Sequence, residues 1–157
     1  MAPTLLFDLD HVDMDQVALD AEQIEQLNPH RGAMRMLDSI IWIEDATLRA
    51  VAYRDIRDDE FWVAGHIPGR PIFPGVLMIE AGAQLASLVT MRQFTDVEFL
   101  GFIGCDQVKF RGQVVPGDRL IMIGEGIQLK RRRSICAVQG LVNGNLVFEG
   151  RITGMPI

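Results

Sequence analysis

Between Gly65 and Gln84 the chain reads GHIPGRPIFPGVLMIEAGAQ, which sets one histidine, His66, and one carboxylate, Glu80, fourteen positions apart. From Gly75 to Met91 the only charged side chain is Glu80. A lone carboxylate in a helix that is apolar nearly all round is costly to bury. Gly75 follows a proline and opens the apolar run, where the first N–H groups of a helix have no internal partner. Those donors, and the positive end of the helix dipole, suit an oxygen that gains negative charge. Histidine, carboxylate and oxyanion donor together are the parts of an acid–base site acting beside a carbonyl.

Pro68, Pro71 and Pro74 fix their own backbones and push the residues before them towards extended conformations. Residues 66–74 are therefore expected to form a stiff loop, with a helix beginning at Gly75. On that helix Gln84 and Ser87 lie at i+4 and i+7 from Glu80, so the three polar groups form one stripe. Arg70 is the nearby cation that could pair with Glu80 in a purely structural arrangement. His30 precedes the first expected strand and lacks an acid close by in sequence, which reads as a structural histidine.

Elsewhere, residues 1–12 read as a flexible or loosely docked lead, and Asp13 to Leu27 as a surface helix ended by Asn28-Pro29. Strands are expected over 36–44 and 47–56, with a helical turn within 58–63. After the central helix, strands are expected over 97–103, 107–114, 119–131, 134–142 and 146–152. Pro116-Gly117-Asp118 marks a turn, and Asn143-Gly144 a tight hairpin. One long helix with antiparallel strands is an α+β layout in which the sheet wraps the helix.

The length of 157 residues suits a single domain over 1–157, with an extension and helix at about 1–28. An apolar share of 48% with 23% charged residues fits a globular chain, and the net charge of −6 argues against nucleic acid as partner. No apolar stretch approaches the roughly 20 residues that span a bilayer. The acidic start is not a secretory signal, so a cytoplasmic location is expected. Cys105 and Cys136 have neither metal-ligand nor disulfide-scaffold spacing and read as two buried small hydrophobes. Lys109, Arg111 and the Lys130–Arg133 run form local positive clusters that read either as solvated strand ends or as a docking patch for an acidic partner.

The chain resembles the hotdog-fold 3-hydroxyacyl-[acyl-carrier-protein] dehydratases of the FabZ type. The resemblance rests on NPHRGAMRMLDSI (28–40), GHIPGRPIFPGVLMIEAGAQ, FLGFIGCDQVKFRGQVVPGDRLIM (99–122) and LKRRR (129–133). It covers roughly residue 22 to the end, and the GHxPGRPxxPGVLxxEAxAQ signature is specific. It implies that His66 and Glu80 are the catalytic histidine and acid. It further implies that the Gly75 N–H holds the thioester carbonyl, that Val76 contacts substrate and that Gln84 supports the site. Val76, Leu77 and Ile79 are expected to line the acyl tunnel.

In that family the histidine and the acid come from different subunits, which implies at least a homodimer; a trimer of dimers is common. No metal or organic cofactor is implied, and the expected partner is an acyl carrier protein bearing a 3-hydroxyacyl chain. The related isomerase-dehydratases usually carry aspartate at the position of Glu80, which leans towards dehydration alone. One departure is visible. Gly32-Ala33-Met34 stands where relatives have a Tyr-Pro-Phe type stretch, which puts the chain-length preference in question. A hotdog thioesterase and a non-catalytic acyl-carrier-binding subunit are the competing readings.

Overall fold

The computed structural model describes residues 3–157. In chain order it has helix α1 (Ala21–Leu27), strands β1 (Ser39–Glu44) and β2 (Arg49–Asp55), and the long helix α2 (Gly75–Met91). Strands β3 (Leu100–Phe110), β4 (Arg119–Lys130), β5 (Arg133–Val142) and β6 (Asn145–Pro156) follow. The six strands form one sheet in the order β1-β2-β4-β5-β6-β3, every neighbouring pair antiparallel.

The sheet curls around α2, which packs chiefly on β4, β5 and β6. Strand periodicity explains how both faces are used. Ala50, Ala52, Met122 and Val138 point inward onto Met78, Ala81, Leu85 and Leu88 of α2. Val51, Ile123 and Leu141 point outward into a second apolar cluster with Phe7 and Val12. The asparagine and glycine of the β5–β6 hairpin take φ of 50° and 77°, the left-handed pair that a two-residue turn requires.

The second cluster corrects the reading of the lead. Over its described part, residues 3–12, the lead is seated on the outer face of the sheet; residues 1 and 2 lie outside the described part. Phe7 packs 5.9 Å from Trp42, and the Arg49 guanidinium sits 5.0 Å over its ring. Gln139 clamps the same segment, accepting from Leu6 N and donating to Thr4 O.

Helix α1 is also shorter than the expected 13–27. The backbones of Ala18 and Leu19 bond Ile40 of β1 instead, which holds them extended. Asp20 then starts the helix through a capping box with Gln23. Residues 58–63 form turns without a helix. The two strands expected over 97–103 and 107–114 are one strand, β3, kinked by irregularities at Phe102/Gly104 and Asp106/Lys109.

Candidate active site

The loop leading into α2 fixes His66. Its N–H donates to Trp62 O at 2.9 Å, and Phe73 N–H ties the far end of the loop to Val114 O at 2.7 Å. Beneath it Trp62 and Phe73 meet edge to face at 5.5 Å. The Arg54–Glu60 ion pair, nearly buried, anchors the start of the loop, with Arg54 Nη1 also donating to Arg35 O at 3.0 Å. Burial lowers the pKa of Arg54.

The His66 ring is exposed, and its Nδ1 lies 2.8 Å from Ile72 O. A carbonyl oxygen only accepts, so Nδ1 bears the proton of the neutral ring and Nε2 is left as a free base. His66 lines an open, mainly apolar cleft with Phe61, Trp62, Pro74, Val76 and Leu77.

Helix α2 begins without a side-chain cap, because its N-cap is Pro74. Among the described residues the N–H groups of Gly75 and Val76 have no acceptor. Both stand free at the positive end of a 17-residue helix. A Cβ at position 75 would lie 2.9 Å from the Phe110 ring, so glycine is what lets β3 close against the helix start. Val76 is exposed on the same side.

Glu80 sits on a second cleft, with His30, Ala83, Ser87, Leu100, Phe102, Ile152 and Gly154. Gln84 Nε2 donates to Glu80 Oε1 at 2.8 Å. His30 Nε2 lies 3.3 Å from the same oxygen. The expected stripe therefore forms a bonded pair, Glu80 and Gln84, and leaves the buried Ser87 hydroxyl in the same cleft without a partner. Two sequence expectations are corrected here. Glu80 keeps 29% of its side chain exposed rather than being enclosed by apolar groups. Its partner is His30, which had read as structural, and the exposed Arg70 plays no part. Ile79 is half-buried against the core. The pairing of His30 with Glu80 had no local signal, because the two residues meet only when the segment after α1 lies along α2.

Gln84 is the joint between those segments. Its Oε1 accepts Met36 N–H at 2.8 Å, its Nε2 donates to Met34 O at 2.7 Å, and its backbone oxygen takes Asn28 Nδ2 at 2.9 Å. Arg31 holds the same stretch by donating to Asn28 O and His30 O, each at 2.9 Å, and to Glu25 O at 2.7 Å. The departing stretch Gly32–Met34 forms a 3-10 turn within it.

Within the chain His66 and Glu80 share no hydrogen bond, no ion pair and no cleft-lining residue. Of the positive clusters, Arg111 is neutralised by Glu149 and Arg131 by Asp96. Cys136 is buried and its thiol is pushed up to about 11 by desolvation, whereas Cys105 is exposed, contrary to the expectation for both.

Residues 28–151 match the FabA-like domain family. Over 136 residues the chain is 37% identical to the 3-hydroxyacyl-[acyl-carrier-protein] dehydratase FabZ of Herpetosiphon aurantiacus, covering 84% of this chain and 94% of that one. It is 38% identical to the FabZ of Lawsonia intracellularis, again over 84% of this chain and covering 88% of the other. Among solved structures, the dehydratase heterocomplex ApeI:P from Xenorhabdus doucetiae superposes with a TM-score of 0.72 at 16% identity. That match covers 85% of this chain and 90% of the other. It is a likeness of fold, the hotdog.

Proposed function

We propose that this chain, which belongs to the FabA-like domain family, removes water from 3-hydroxyacyl thioesters carried on acyl carrier protein, giving trans-2-enoyl thioesters. The observation that carries the reading is the pairing of a histidine with a free Nε2 and an uncapped helix start, both bordered by Val76. His66 Nε2 removes the C2 proton, and the electron pair moves onto the thioester oxygen. That oxygen is held by the free N–H of Gly75, which stabilises it only as charge develops. Collapse of the enolate forms the C2–C3 double bond and breaks the C3–O bond. Glu80, acting as the general acid, gives a proton to the departing hydroxyl, and water leaves. The enzyme is then left with His66 protonated and Glu80 ionised, and exchange of one proton through solvent resets it.

His66 and Glu80 open onto separate clefts of the protomer, so the reaction needs a second copy to bring a histidine to a carboxylate. Strand β3 supplies the means. It pairs with β6 on one side only, and its other edge is bare. Phe102, Ile103 and Phe110 on that strand, with Met155 and Ile157 beside it, are exposed. A long apolar edge is a template for another strand, and an isologous pair of such edges closes a two-fold dimer. Leu100 and Phe102 also line the Glu80 cleft, so the same contact closes the site.

The direct test is turnover of 3-hydroxyacyl-carrier substrates of several lengths, followed by enoyl absorbance and by mass. Loss of one water in the wild type, absent in His66→Ala, supports the reading. Release of free thiol without an enoyl product would move the chain to the thioesterases.

A further inference from the structure

Resting on the dehydratase reading above, we infer that His30 is a positioning residue for Glu80: it fixes which carboxyl oxygen delivers the proton. His30 Nδ1 is buried and has no partner among the described residues. A proton there would be an unpaired buried donor, so the neutral ring carries its proton on Nε2. That nitrogen faces Glu80 Oε1 at 3.3 Å.

The donor to Oε1 is equally determined. Gln84 cannot be turned over, because its Oε1 meets an N–H from Met36 and its Nε2 meets a carbonyl at Met34. One N–H, from Gln84, thus donates to Glu80 Oε1, the edge of the His30 ring lies in polar contact with the same oxygen, and Oε2 has no hydrogen-bond partner among the described residues. In the neutral acid the proton therefore sits on Oε2, the oxygen left to face substrate. Once it has moved to the departing hydroxyl, the Gln84 donor already in place stabilises the new negative charge, and the adjacent His30 N–H needs only a small turn of the ring to add to it.

The frame that holds His30 is tied to the same turn of α2. Asn28 binds Gln84 O, and Arg31 grips the carbonyl of His30 itself. Carboxylate orientation is thus built from a segment remote in sequence, and His30 is the only member of that segment whose side chain reaches Glu80.

The experiment compares wild type with His30→Leu and His30→Asn, which lack a donor at the Nε2 position, and His30→Gln, whose amide nitrogen restores one. Turnover of a 3-hydroxyacyl-carrier substrate is measured alongside thermal stability and the ¹⁵N spectrum of the His30 ring. The expected result is a fall in kcat of about 3- to 10-fold in the Leu and Asn variants, the loss due to one polar contact beside a group that gains charge. KM stays within about twofold, because the contact matters in the transition state. His30→Gln recovers most of the rate, and the wild-type ring shows a protonated Nε2 that responds to Glu80→Gln. Wild-type dehydration with unchanged kcat in the Leu and Asn variants would overturn the positioning role and leave the dehydratase reading intact. A wild type that fails to dehydrate any substrate would overturn that reading and this role with it.

Discussion

Gln84 donates to Glu80 Oε1 at 2.8 Å while accepting the Met36 N–H, also at 2.8 Å. One amide thereby couples the carboxylate to the segment that precedes β1. Gln84→Leu strands the buried Met36 N–H, frees the more accessible Met34 carbonyl and removes one donor from Glu80. It should cost about 1–3 kcal/mol of stability and lower kcat as well, read by denaturant unfolding and turnover on the same preparation.

Gly75→Ala places a methyl group 2.9 Å from the Phe110 ring at the helix start. The ring is half exposed and can swing aside, so the overpacking should cost about 1 kcal/mol, at the low end for such insertions. It can also be trimmed, so Phe110→Ala in the same chain should offset part of that cost. A double-mutant cycle measured by thermal unfolding should show a coupling of more than about 0.5 kcal/mol; strict additivity would deny the contact.

Glu60→Ala leaves the nearly buried Arg54 guanidinium without its carboxylate. Breaking such a pair costs about 3–5 kcal/mol. Because Glu60 Oε2 also accepts Arg57 N–H at 2.8 Å, the turn before His66 should loosen, and turnover should fall together with stability.

Asp45 accepts two hydrogen bonds from Arg92 at 2.7 Å, which lower its pKa from the ordinary aspartate range. A depressed carboxyl contributes stability above its unfolded pKa, and that contribution is lost as pH falls through the folded one. Stability should therefore drop on acidification below about pH 4, and Asp45→Asn should show a shallower acid slope. The pair is partly exposed, so added salt should shrink the difference. Unfolding curves between neutral and acid pH decide it.

Phe7→Ala removes the ring that seals the outer face of the sheet over Val51, Ile123 and Leu141. A phenylalanine truncation at a buried site costs about 3 kcal/mol or more. The variant should also bind a hydrophobic dye that the wild type does not, which urea unfolding and fluorescence would detect.

Much of the layout was legible in the residues because its signals are local. Proline spacing gave the stiff loop at 66–74, the apolar run gave α2 from Gly75, and Asn143-Gly144 gave the β5–β6 hairpin. What escaped depended on contacts remote in sequence. Residues 13–19 have a helical spacing, but pairing of Leu19 with Ile40 outweighs a marginal helix. Phe7 looked like part of a loose lead until a sheet face existed for it to cover. His30 appeared structural because its acid, Glu80, lies on another element. The His66 and Glu80 motif was visible, but their separation into two clefts within the chain is a property of the fold.

That separation makes the central claim testable by mixing two dead variants. His66→Ala and Glu80→Gln should each be inactive alone yet remain folded. If the proposed dimer forms, co-expression should give mixed dimers in which one of the two sites receives an intact His66 from one copy and an intact Glu80 from the other. With random assortment, about a quarter of wild-type dehydration should return. No recovery, in a preparation shown by mass to contain mixed dimers, would contradict a site shared between two copies.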